Sequence, residues 1–324
     1  MPIFRAALST TALMSVGLIC LAHQAAANEA PVLNITNFVG TVDIQTSNVP
    51  SPHISNDPGI AIRKTDKGWT IDGRQNMRKV HCRSHNKQIK IRIGKKSLFR
   101  KDYKTLDAFP HITITAPENV VLKVEKSALF GKIDRLGQAD FSLEKCANLS
   151  IDTISGPAGF EMSGAGTIVI DKAGDVHLET TGASDFTAAS LANLNAELSG
   201  ASDISIKTLS GSANIEASGA SDIALGRIAG SLDFEGSGAT DLQADYVGGR
   251  HLQIEVSGAG DATIKDGDVA RLDIETSGTS DVSYGGRSMD ASLETSGLAD
   301  IRIHRPDGHL DKDKSGMGDI IITD

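Results

Sequence analysis

Aromatic side chains are scarce in this chain, at 4% of residues with a single tryptophan, Trp69. Single-stranded nucleic acids are gripped largely by stacking bases on aromatic faces, and sugar-processing clefts commonly use the same platforms. The shortage therefore argues against a nucleic-acid partner and against a polysaccharide cleft. Long helical stretches rich in Ala, Glu, Lys, Leu and Arg are also missing, as is any apolar run of membrane-spanning length after the first 27 residues. Proline is modest at 9 residues, whereas glycine reaches 33. What remains is short apolar alternation broken by Ser, Gly and Asp, the pattern of strands and turns.

The first residues read as a secretory leader. Arg5 supplies positive charge, an apolar stretch runs from Ala6 to Ala22, and Ala25-Ala26-Ala27 offers a small-residue cleavage site. Residues 1–27 are expected to be removed, with Asn28 as the first mature residue. The alternative, a membrane anchor, needs ~20 spanning residues, and this run is short. Cys20 invites a lipid anchor, but the preceding Ile19 is bulky where such sites carry a small residue. The chain is thus expected in the periplasm or at the cell surface.

Export leaves two cysteines, Cys82 and Cys146, as a candidate disulfide in an oxidising compartment. The alternative is two unrelated thiols. His81-Cys82-Arg83-Ser84-His85 has the look of a metal cluster but lacks the second ligand pair of a zinc site, so no metal is assigned there.

The decisive feature is a repeat. Its core reads Ser-Gly-Ala-Ser-Asp, as at Ser199–Asp203 and Ser218–Asp222. Its glycines are Gly164, Gly182, Gly200, Gly219, Gly238, Gly258, Gly278, Gly297 and Gly316, at successive intervals of 18, 18, 19, 19, 20, 20, 19 and 19. Weaker copies precede them near Ser127 and Cys146. Each core is followed by an alternation such as Ile204-x-Ile206 and preceded by another such as Leu252-x-Ile254-x-Val256, with a Gly-containing bend between. Period two turns one side of each strand inward. One such unit cannot bury its apolar side alone, whereas stacked units can, with backbone hydrogen bonds along the stack at ~4.8 Å per coil. A leucine-rich repeat would need the L-x-x-L-x-L spacing, and a propeller roughly twice the period. The expected fold is all-β: a right-handed parallel β-helix of nine to eleven coils over residues 111–324, roughly 40–50 Å long. Residues 28–110 form a β-rich N-terminal cap.

Within the core, glycine permits a positive φ or a close backbone approach at a corner. Alanine is expected to point into a tight inward corner. Ser and Asp bond to turn amides. Stacking then aligns Asp185, Asp203, Asp222, Asp241, Asp261, Asp281, Asp300 and Asp319 into one row. Neighbouring carboxylates repel by about 1 kcal/mol per pair in a water-like dielectric. Either amides, hydroxyls and solvent offset this, or divalent cations such as Ca²⁺ bridge the coils.

Charge is unevenly distributed. Residues 61–104 hold 15 Lys/Arg against 3 acids, a net +12, while residues 151–324 hold 11 against 29, a net −18. Arg78, Lys79, Arg92, Lys95, Lys96, Arg100 and Lys101 form a candidate patch for an anionic envelope glycan, lipid or protein partner. The alternative is a solvated cap.

The tandem Ser-Gly-Ala-Ser-Asp coils resemble the GIN-domain family of autotransporter-adhesin heads. So do Asn37-Phe38-Val39-Gly40-Thr41-Val42-Asp43-Ile44 and the stretch Phe109–Val120. The resemblance covers most of residues 33–324. It implies a β-helical extracytoplasmic domain and brings no catalytic residues to transfer. No translocator barrel or wall anchor is read at the C-terminus. Three function classes follow: a non-catalytic, adhesin-like envelope module, a self-associating scaffold, and a polysaccharide lyase or hydrolase. Against the last, Tyr246 and Tyr284 are isolated and no acid pair with a neighbouring base stands out. For the scaffold, the Ile-rich final strand is an edge open to pairing, with Lys312 and Lys314 nearby as charged gatekeepers.

Overall fold

The computed structural model describes residues 30–55, 60–66, 68–85, 88–94 and 102–324. The leader, with its cleavage site, lies outside the described residues. Of the described residues, 72% are in strands and 3% in helices, and they are wound as a parallel β-solenoid of about 11 turns, ~19 residues apart.

The early coils are single long strands, Val121–Leu136, Gln138–Ile154 and Ala158–Ala173, that run through two parallel sheets, and from Asp175–Thr180 and Ala183–Leu191 on the two sheets receive separate strands. Ala213–Gly219, Leu232–Gly238 and His251–Gly258 lie in the first, which we call the Ser-Gly sheet. Asp203–Leu209, Asp222–Ile228 and Asp241–Val247 lie in the second, the Asp sheet. Register is strict: Gly219 pairs with Gly238 and Gly238 with Gly258, and Asp203 pairs with Asp222 and Asp222 with Asp241. Because the strand period is two, this register puts like residues on one face. Ile215, Phe234, Ile254 and Ile274 stack inside, all at most 2% exposed. Phe141, Phe160 and Phe186 fill the early coils, with ring centroids 5.3 and 5.7 Å apart.

The N-terminal segment is not all cap. Val32–Thr36 and Val39–Thr46 pair in parallel with Val121–Leu136, so they extend the solenoid by joining its stack out of sequence order. The boundary at residue 110 therefore does not follow the sheets. Beyond these strands the stack closes with antiparallel edges, Ala61–Thr65 on one sheet and His53–Ile54 on the other. A hairpin of Val80–His85 and Gln88–Ile93 lies against the outer surface of the early coils. It packs through Val80 and Ile91 onto Val39, Ala128 and Phe130. Cys82 of the hairpin is bonded to Cys146 of the solenoid, with Cα atoms 6.1 Å apart.

Candidate functional site

At the corner between the sheets the chain turns on the repeat glycine. From Gly200 to Gly316 its φ lies between 88° and 123°, a region open to glycine and costly for other residues. A Cβ added at Gly238 would come within 2.5 Å of the Gly219 carbonyl oxygen. Gly164 and Gly182 have no such φ but meet the same obstacle: a Cβ there would approach Lys145 O to 2.5 Å and Gly164 O to 2.0 Å.

This turn corrects one expectation. Alanine does not point inward. Ala183, Ala201, Ala220, Ala239 and Ala259 are exposed, and the fourth residue of the core enters instead. Ser202, Ser221, Thr240 and Ser280 are at most 1% exposed. From Gly200 on, the positive-φ glycine breaks the strand alternation, so the first three residues of the core stay outside before the fourth turns in, and Ala183 and Ser184 take the same positions without a positive φ at Gly182. The alanine amide bonds to the glycine carbonyl of the coil before, as from Ala239 N to Gly219 O at 2.8 Å.

The Asp row stands on the outer rim of this corner. The Asp261 amide donates to Asp241 Oδ1 at 2.9 Å, Asp281 to Asp261 at 3.0 Å, Asp300 to Asp281 at 3.1 Å and Asp319 to Asp300 at 2.7 Å. Asp185 accepts from Thr167 Oγ1 at 3.4 Å. Amides of the following coil thus offset the repulsion along this part of the row. Among the described residues, no group of three or more His, Cys, Asp or Glu is placed to hold a metal ion.

A second row was missed in the sequence. Two residues before the core Ser or Thr of the first eight copies stands a glutamate, Glu161, Glu179, Glu197, Glu216, Glu235, Glu255, Glu275 and Glu294, and the ninth copy has Asp313 there. Each pairs in register with the next. The signal was the constant Glu-x-Ser/Thr-Gly spacing, which reads directly once the repeat is aligned. Glu and Ser both face outward because they lie two apart on one strand. Together they line a shallow groove of 460 Å³ across the Ser-Gly sheet, from Glu179 to Ser277.

Glu179 meets His177 Nε2 at 2.9 Å, and Glu255 accepts from Gln253. Among the described residues, no basic side chain pairs with Glu197, Glu216, Glu235, Glu275 or Glu294. Beside the groove, Asn214 donates to Asn195 at 3.1 Å, and Asp273 joins Arg271 at 2.6 Å and His251 at 2.9 Å. The arrangement presents the same groups at every rung and singles out no acid, base or nucleophile. Tyr246 lies under Arg227 at 3.9 Å, and Tyr284 is buried in the core.

The candidate basic patch is only partly on the surface. Arg78 and Lys79 are exposed in a short 3₁₀ turn. Arg92 is not: it is 6% exposed and stacks on Tyr103, which also carries Arg83 at 4.2 Å. The hairpin's packing encloses it, so it leaves the patch. Lys95, Lys96, Arg100 and Lys101 lie outside the described residues.

Among the described residues, no helix is long and apolar enough to cross a membrane. No curated protein and no solved structure matches the chain significantly. The family described as "Putative auto-transporter adhesin, head GIN domain" matches residues 105–288. Those residues run from the entry into the solenoid through most of its coils and make up more than half of the sequence, so the chain belongs to this GIN-domain family.

Proposed function

We propose that the protein is an exported, non-catalytic, adhesin-like module of the cell envelope. In this reading the outer face of the Ser-Gly sheet holds an extended, repeating ligand. The observation that carries the reading is the groove across that face, in which carboxylates and hydroxyls recur in register from Glu179 to Ser277. A surface that repeats every ~4.8 Å can meet a repeating ligand with the same contact many times over, and many weak contacts sum to useful affinity. The family description, an adhesin head, agrees with binding and names no enzyme. Arg78 and Lys79 form a separate exposed cationic spot away from this groove, to which the reading assigns no part of the binding.

The test is binding of the purified chain to envelope fractions and to a glycan array, compared with a Glu216→Gln, Glu235→Gln, Glu255→Gln variant. Circular dichroism would confirm the variant's fold. The reading predicts at least a tenfold loss of binding in the variant and little change in an Arg78→Ala, Lys79→Ala variant. The reverse pattern would move the binding surface to the cap, and unsaturated sugars released from a polysaccharide would replace the module with a lyase.

A further inference from the structure

The interior of the Ser-Gly sheet changes character in its final coil. Its middle inward row runs Phe234, Ile254, Ile274, Leu293, and the register then pairs Leu293 with Lys312. The next inward row runs Val256, Thr276, Thr295 and then Lys314. The earlier members of both rows are buried, whereas Lys312 and Lys314 are exposed. The lysines are therefore more than charges near an edge. They occupy core positions of the last described coil, on whose outer side no other described strand is paired. Lys314 Nζ reaches Asp319 Oδ1 at 2.6 Å, tying the Ser-Gly sheet to the last carboxylate of the Asp row. In the Asp sheet the inward rows stay apolar, ending in Ile320 and Ile322, which are half-buried. The opposite end of the stack is finished differently, by short antiparallel strands, one of which carries the exposed Arg63 and Lys64.

We propose that Lys312 and Lys314 plug the open end of the solenoid interior and keep a second copy of the chain from stacking on it. A rod docked end-on would have to bury two ammonium groups against an apolar interior. Buried charge is costly unless fully paired, and among the described residues Lys314 pairs with a carboxylate whereas Lys312 does not. Inward-pointing charge at a sheet edge is a known means of blocking edge pairing. What stays open is the four-residue edge Ile320–Thr323, too short to hold a second rod by itself. The plug is independent of any ligand on the outer groove.

The test is sedimentation velocity of the purified full chain over a concentration series, with a Lys312→Leu, Lys314→Val variant beside it. The expected result is a monomeric wild type and a variant that associates at concentrations at least tenfold lower. If the apolar variant fails to fold, Lys312→Ala with Lys314→Thr carries the same expectation, since threonine already fills that row at Thr295. A folded, charge-free variant that stays monomeric throughout would overturn the proposal. So would wild-type association that Ile322→Lys abolishes.

Discussion

Asp281 Oδ1 accepts the backbone N–H of Asp300 at 3.1 Å, one coil further along the rod. The contact makes this carboxylate part of the corner's backbone hydrogen bonding. Removing it in Asp281→Ala leaves the Asp300 amide to water and should cost about 1 kcal/mol, the usual net value of such a bond. Asp281→Asn keeps an oxygen in place and should cost less. Denaturant unfolding of the two variants decides the matter, and equal losses would mean that charge, not the acceptor, is what counts.

The same geometry bears on calcium. From Asp241 to Asp300, one oxygen of each carboxylate is already occupied by an amide of the next coil. This part of the row is therefore expected to need no cations to relieve its repulsion, and the melting temperature should be the same in Ca²⁺ and in EDTA. A rise of several degrees with Ca²⁺ would show that the outer oxygens bridge ions between coils.

The rod itself was legible because every rung repeats the same residue type. Stacking Gly219 on Gly238 and Asp203 on Asp222 follows from the spacing alone. The direction of Ala239 was not legible, because a positive φ at Gly238 reverses an alternation that local pattern reading takes to continue. Nor was the placement of Val32–Thr36, whose parallel partner begins at Val121, far away in sequence. Arg92 looked like surface because charge suggests exposure, and only the hairpin's packing encloses it. The glutamate row was in plain view between the repeat cores and needed only alignment.

Tyr284 gives the rod a weakness at alkaline pH. Burial is the main cause that pushes its hydroxyl above the ordinary value of 10.0, with Asp268 and Asp266 adding to it. The folded state therefore keeps a proton that the unfolded state releases. Stability is unaffected below pH 10.0 and falls as pH rises through it, by about 1.4 kcal/mol per unit for one proton. Tyr284→Phe loses the hydrogen bond to Arg287 O at 2.9 Å and should be about 1 kcal/mol less stable at neutral pH. Its stability should then decline less than wild type between pH 9.5 and 11, a range taken around the ordinary tyrosine value of roughly 10. Parallel alkaline slopes would show that the hydroxyl ionises freely in the fold.

Gly238 tests the corner. With φ at 93° and the Gly219 carbonyl 2.5 Å from any added Cβ, alanine there is both strained and blocked by backbone. Gly238→Ala should lower stability by at least ~1–3 kcal/mol. Ala239→Ser, one residue further on and exposed, should change it by less than about 0.5 kcal/mol. Comparable losses at the two positions would mean that the glycine is not what holds the turn.

The disulfide between Cys82 and Cys146 joins the basic hairpin to the rod across a sequence separation of 64. Chain-entropy reasoning gives a crosslink of that span about 4 kcal/mol. That stabilisation acts on the hairpin more than on the coils. Besides the disulfide, the hairpin is held by a small apolar cluster around Val80, Ile91, Ala128 and Phe130, by Arg83 and Arg92 on Tyr103, and by a backbone bridge from Ile91 to Lys104, whereas each coil is held by neighbours on two sheets. Reduction, or Cys82→Ser with Cys146→Ala, should therefore release the hairpin before the rod unfolds. Trypsin should cut faster after Arg78, Lys79 and Arg83, while the β-sheet circular dichroism signal of the solenoid persists. If reduction instead unfolds hairpin and rod in one step, the cap is an integral part of the stack, and the early coils depend on it for stability.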